Sequence, residues 1–207
     1  MTNPSFNKFY GMQFIPYNII YHLITDNKAE NFWKILYYNT PDCLSKPNLT
    51  LSQKRNLIWA PKQTPNGMIL PDRQEDYNIY LTYLVGNMQL DGKTILKIYQ
   101  LDNNPINKYI STLSYEIDII TGYKIPIIDY EGIPVNRCEA LEYELLNCLN
   151  GADVAGAGLL QFNTDLDGGR LDKARANVGN NSTFSGLSLI MSVQLSNVSS
   201  NNLCSIT

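Results

Sequence analysis

Between Tyr109 and Gly151 the sequence leaves the backbone little freedom. From Tyr109 to Ile120 the residues alternate, with Leu113, Tyr115, Ile117 and Ile119 set against Ser114, Glu116 and Asp118. A period of two places those apolar side chains on one face of a strand, and leaves the other face solvated or against polar surface. Thr121-Gly122 turns the chain. Tyr123 to Tyr130 is then a short extended piece that Pro126 confines to an edge or a loop. Pro134 precedes a helix running from Asn136 to Asn150, in which Asn136 is a good cap and Glu139 follows three residues on. Ala140, Leu141, Leu145, Leu146, Cys148 and Leu149 form its apolar stripe. Glu139, Glu142 and Glu144 form the polar one, and Arg137, alone near the start, reads as part of a solvated face. Asn150-Gly151 closes the helix, glycine being the residue best suited to the left-handed turn that ends one. The helix reads as a lid on a sheet, and the stretch holds no catalytic constellation.

Upstream the pattern is first aromatic, then helical. Residues 1–16, with Pro4, Gly11 and Pro16, read as an extended arm. Phe6, Phe9, Tyr10, Phe14 and Ile15 make that arm too apolar for a free tail, so docking onto a neighbour is expected. Ile19, Ile20, Leu23 and Ile24 recur at helical spacing over Tyr17 to Leu23. Thr25 or Asp26 can cap a second helix to about Tyr38, buried through Phe32, Trp33, Ile35 and Leu36. Thr50 and Gln53 make a capping box for a third, ending near Trp59. Residues 17–60 are thus a small helical N-terminal part. Residues 60–76, with three prolines, read as an irregular loop.

A β-rich part begins at Tyr77. Tyr77 to Val85 alternates, Asp91-Gly92 is a strong hairpin signal, and Lys93 to Leu101 continues as a strand. Asp102 to Pro105 reads as a turn. After the central helix, Leu159 to Phe162 is a short strand and Thr164 to Asn181 a long polar loop. Ser182 to Val198 returns as a strand carrying Phe184, Leu187, Leu189, Met191, Val193 and Leu195. Residues 77–198 form one α+β unit and residues 199–207 a polar tail. The fold class is therefore α+β: a mostly antiparallel sheet with one helix packed on it, preceded by a small helical part.

Several function classes are disfavoured by composition. The net charge is −3, and no basic run or cluster of Lys and Arg with interleaved aromatics occurs. Tight electrostatic binding to nucleic acid, which works by neutralising phosphates, is not expected. No stretch has the length and apolarity of a membrane span or a leader. Charged residues make up only 17% of the chain, and polarity rests on Asn, Ser, Thr and Gln beside 14 Tyr. A low-charge, Tyr-rich surface suits protein–protein contact, although AT-rich codon usage gives the same composition. Cys43, Cys138, Cys148 and Cys204 form no Cys-x-x-Cys pair. Cys138 and Cys148 are separated by about 15 Å of helix, so free buried thiols are expected.

Candidate chemistry is thin. His22 is the single histidine and lacks nearby partners for metal or catalysis, so a structural role is expected. Residues 152–158 are glycine-rich, but no Lys-Ser/Thr pair follows them and a phosphate loop is not indicated. Asn163, Asp165, Asp167 and Gly168 imitate the start of a calcium loop, yet Ala174 stands where the closing glutamate belongs. Arg170, Lys173 and Arg175 face Asp165, Asp167 and Asp172 in the same loop, which reads as an assembly contact. Glu116 and Asp118 share a strand face with no sign of a cleft. No catalytic residue, cofactor or metal ligand is assigned, and the chain is expected not to be an enzyme.

The element order from residue 77 to 198 resembles the tail-terminator and head–tail joining proteins of tailed bacteriophages. The residues that carry the resemblance are the strand Thr112–Ile120, the helix Asn136–Leu146, its end Leu149–Gly151, and the strand Phe184–Leu195. The resemblance implies a structural virion protein without cofactor or catalytic residue, assembled in the bacterial host cytoplasm. It implies a self-associated ring, commonly six- or twelvefold, at the portal–tail junction of the neck. The ring's partners would be neighbouring neck, portal or tail proteins, with DNA at most a passing, non-specific cargo and no membrane contact. The helical part and the arm exceed what the smaller members of that family carry. Candidate assembly contacts are Phe6, Phe9, Tyr10, Phe14, Asp91, Glu142, Glu144, Asp165, Asp167, Arg170, Lys173 and Arg175. Two other readings stand beside this one: a metal-dependent enzyme using the acidic loop 163–172, and a host-directed binding module.

Overall fold

The fold is described from a computed structural model, which covers residues 10–65, 67–83, 92–106, 110–154, 158–162, 173–178 and 184–196. For residues 10, 11, 173–178, 184, 185, 195 and 196 it gives the backbone course alone. Three short helices open the chain: α1 (Ile15–Thr25), α2 (Glu30–Tyr37) and α3 (Leu51–Asn56). The expected arm is helical where it is described. Tyr10–Phe14 is a turn of 3-10 helix that runs into α1, and Pro16 sits in the first turn of α1, where its missing N–H costs nothing. The second helix is split. Asp26 accepts from Lys28 N and starts a 3-10 turn over Asn27–Ala29, and α2 follows. The capping box at Thr50 forms as the sequence predicts.

Residues 60–76 are more ordered than their prolines imply. Lys62–Thr64 (β1) and Gly67–Ile69 (β2) pair antiparallel, and a 3-10 turn covers Gln74–Asp76. The long sheet follows. In chain order the remaining elements are β3 (Ile79–Tyr80), β4 (Thr94–Pro105), β5 (Ile110–Gly122), a separate side hairpin of β6 (Ile127–Tyr130) with β7 (Ile133–Asn136), α4 (Arg137–Leu149), β8 (Gln161–Phe162), β9 (Lys173–Val178) and β10 (Phe184–Ser196). The main sheet runs β3-β4-β5-β10, and the far edge of β10 carries β9 along Phe184–Leu189 and β8 at Met191–Ser192. Strands β5 and β10 pair over all 13 residues of each.

Three expectations about this sheet fail. Strand β3 runs parallel to β4, Ile79 opposite Leu96, so the two strands do not form the hairpin that Asp91-Gly92 suggests. Asp91 itself lies outside the described residues. A parallel return needs a connection of about a dozen residues, and residues 81–93 supply one. The turn expected at Asp102–Pro105 is strand instead. A bulge between Gln100 and Asp102 shifts the register, and the chain reverses beyond it, where Ile106 N donates to Ile110 O. Part of the loop expected over 164–181 is the strand β9.

One face of the sheet is apolar and covered by helices. Leu96 and Ile98 of β4, Leu113, Tyr115, Ile117 and Ile119 of β5, and Leu187, Leu189, Met191 and Val193 of β10 join a single core with α1, α2 and α4. The alternation read in β5 is what builds this face. Trp33 is fully buried in α2 and donates its indole N–H to Leu23 O at 2.8 Å, so its polar edge is satisfied. A smaller cluster of Tyr77, Tyr80, Ile95 and Ile120 sits apart, with Trp59 against it. Among the described residues no helix is long and apolar enough to cross a membrane.

Candidate assembly interface

Helix α4 is where the structure departs most from a solvated face. Asn136 caps it, its side chain accepting from Cys138 N at 2.9 Å. Arg137, next in line, is fully buried. Its guanidinium donates to four backbone carbonyls: Ile125 at 2.9 Å, Ile35 at 2.7 Å, Tyr38 at 2.9 Å and Thr40 at 2.8 Å. The cation thereby joins the end of α2 to the segment before β6 and to the start of α4. Burial lowers its pKa, but a guanidinium stays charged inside a protein. A side chain read as solvated is the clamp at the centre of the fold.

Glu144 is corrected in the same way. It is only 2% exposed and accepts from the Tyr130 hydroxyl at 2.8 Å and from Asn31 Nδ2 at 3.2 Å. Its carboxylate faces the interior and not solvent. Glu142 is half-buried on the same helix. Of the other candidate contacts, Phe6, Phe9, Asp91, Asp165, Asp167 and Arg170 lie outside the described residues. Tyr10 opens the 3-10 turn, Lys173 pairs with Leu189 and Arg175 with Leu187 along β9 and β10; for these three the backbone alone is described. Phe14 is exposed, and Tyr17 and Tyr21 continue its stripe along α1 with their rings stacked 6.4 Å apart.

Three apolar surfaces stand out. The first is the Phe14, Tyr17 and Tyr21 stripe. The second is the β1–β2 hairpin, where Met68 is 68% exposed and Ile69 and Leu70 about half exposed. The three prolines around this hairpin give its sequence the look of a loop. The third lies between the β6–β7 hairpin and α4. Here Tyr130 and Tyr143 meet edge to face at 6.5 Å, with Val135 and Ala140 as the floor and Glu131 and Glu139 at the rim, around a groove of about 440 Å³. Ile133, at the turn of that hairpin, is 63% exposed. Burial, with Glu144 beside it, pushes the Tyr130 hydroxyl up to about 12, so it remains a neutral donor. A second hollow lies on the other side of Tyr130 and Glu131, with Asp42 and Asp129 in its wall.

The signal for the third surface was in the sequence. Glu131-Gly132 between two short extended pieces is a two-residue turn, and both residues adopt the left-handed conformation, at φ 54° and 84°. Pro126, just ahead of it, hides this turn by making the segment look like a single broken strand.

Catalytic and metal chemistry finds little among the described residues. His22 Nε2 lies 3.3 Å from Cys148 O and 3.8 Å from Asp26, a local structural arrangement. No group of three or more His, Cys, Asp or Glu side chains is placed to hold a metal, though the acidic loop 163–172 is outside that description. Asp118 accepts from the Tyr99 hydroxyl at 3.1 Å and from Ser188 at 2.5 Å, tying β4, β5 and β10 together on the face away from the helices. Cys43, Cys138 and Cys148 are buried thiols outside any disulfide.

Comparison with known proteins gives a family match. The model of a family described as YomW, which is phage-derived, matches residues 29–193. No curated protein matches the chain.

Proposed function

The chain belongs to the YomW family, whose derivation suggests a phage-encoded protein, and from that premise we propose that it is a structural virion protein of the head–tail junction. It acts as a ring subunit, a tail terminator or a connector, through which DNA passes without being bound by sequence. It is not an enzyme, and its partners are further copies of itself and the adjoining portal, neck or tail proteins.

The observation that carries this reading is the distribution of exposed apolar side chains. Met68, Ile69 and Leu70 are consecutive and solvent-facing on a hairpin that is otherwise pinned, Trp59 donating to Pro71 O at 3.0 Å. Monomeric proteins rarely leave such runs open, and subunits that are always assembled do. The family's phage derivation and the net charge of −3 both fit a subunit that lets DNA slide past.

Size measurement by light scattering and negative-stain microscopy of the pure protein, alone and mixed with portal and tail assemblies, tests the proposal. Rings, or assembly triggered by the portal, are expected. A chain that stays monomeric and binds neither assembly overturns it.

A further inference from the structure

We infer that the groove between the β6–β7 hairpin and α4 receives the segment Phe6-Asn7-Lys8-Phe9 of a second copy of this chain. This deepens the ring-subunit reading and rests on it. It names the contact that links one copy to the next.

The groove has the chemistry of a receptor for one cation among aromatic rings. Its walls are the edge-to-face pair Tyr130 and Tyr143, and its floor is Val135 and Ala140. Glu131 and Glu139 are exposed at its rim, and no cationic side chain is among its described lining residues. Across Tyr130 the neighbouring hollow adds Asp129 and Asp42, the latter already held by Lys46 at 2.6 Å. An ammonium group over a tyrosine face, with carboxylates beside it, is attracted by the ring and by the charges together.

The groove is also built in advance. Tyr130 cannot swing, because its hydroxyl is tied to the buried Glu144, which Asn31 holds from the other side. Glu131 stands at φ 54°, a conformation that Gly or Asn adopts more easily, and so its carboxylate is kept at the rim against local preference.

Residues 1–9 supply the complementary chemistry. They contain Phe6 and Phe9, one cation at Lys8, and no acidic residue; the first carboxylate in the chain is Asp26. Two aromatic rings three positions apart with an ammonium between them match two aromatic walls below a pair of carboxylates. An arm of one copy seated in a groove of the next is a heterologous contact, the kind that closes into a ring when the rotation permits.

The test uses the full chain carrying two different tags, co-expressed and captured through one of them. Lys8→Glu in both copies is expected to lower capture of the second tag at least about tenfold, because like charges then face each other across the contact. Glu131→Lys in both copies is expected to do the same, with an unchanged melting temperature, since Glu131 lies exposed in a turn. Combining Lys8→Glu with Glu131→Lys restores the pair and is expected to recover capture. Tyr143→Ala, which removes a wall and no charge, is expected to weaken capture in every background. If the wild-type chain associates but neither reversal weakens it, or the double reversal recovers nothing, the groove assignment is wrong while the ring reading stands. If the wild-type chain does not associate under any condition, the ring reading itself fails and takes this contact with it.

Discussion

Arg137 shows how a charge can be structural without a counter-charge. Its four acceptors are carbonyls from two places in the chain, residues 35–40 and Ile125, up to 102 residues away. Replacing it by Met leaves those carbonyls without donors in a buried site, which is expected to cost about 3–5 kcal/mol, with Arg137→Lys in between; urea unfolding midpoints measure it. No pattern on the helix announces this role, because the partners are backbone atoms distant in sequence, and a lone arginine at a helix start usually is solvated. Glu144 was illegible because only the fold brings the Tyr130 and Asn31 side chains to it. The thiols were easier, since their spacing alone excludes a disulfide within α4. Burial first, then Asp26 and Glu144, push Cys148 from 9.0 up to about 11. The folded state therefore keeps a proton that the unfolded chain releases, and this share of stability is lost as pH rises from about 9 to 11. Lys93 works in the opposite sense, since burial pulls it from 10.5 down to about 8 and its share of stability grows between those values. Measuring the difference in unfolding free energy between wild type and Cys148→Ala cancels the lysine. That difference is expected to shrink from pH 9 to 11, and a difference independent of pH would refute the assignment.

Among the elements, those with both a local pattern and a tertiary face were the legible ones. α4 carries its cap at Asn136 and its stop at Gly151, where φ is +78°, and most of β5 and β10 alternates. In each, propensity and burial point the same way. The β3–β4 pairing was not legible because Asp91-Gly92 reports only on a turn, whereas the partner of β3 is set by Ile79 reaching the core beside Leu96 and Ile98. The β6–β7 turn gives a direct check on the strain placed at its tip. Glu131→Asn relaxes a left-handed residue into one that tolerates it and is expected to stabilise the fold by up to about 1 kcal/mol, visible as a rise of a few degrees in melting temperature. The same change removes a carboxylate from the rim of the groove, so a more stable but less adhesive protein is the expected product.

At the scale of the molecule, the helical N-terminal part is not a separate layer of structure; α1 and α2 bury Ile19, Leu23, Phe32 and Trp33 in the same core as the sheet. Amide hydrogen exchange is expected to rank the parts, with β5 and β10 exchanging only through global unfolding and the exposed β1–β2 hairpin opening locally; equal protection across these elements would contradict a core centred on the β5–β10 pair. That pair also fixes a schedule. β5 waits for a partner whose first residue, Phe184, is made more than sixty positions after Gly122 has left the peptidyl-transferase centre. At about 5–20 residues per second, translation leaves the inner row Leu113, Tyr115, Ile117 and Ile119 with a bare strand edge for several seconds. A nascent chain of this protein is therefore most adhesive to its neighbours on a polysome before it is complete, and slowing the ribosome between the codons for Gly122 and Phe184 would be expected to turn soluble yield into aggregate.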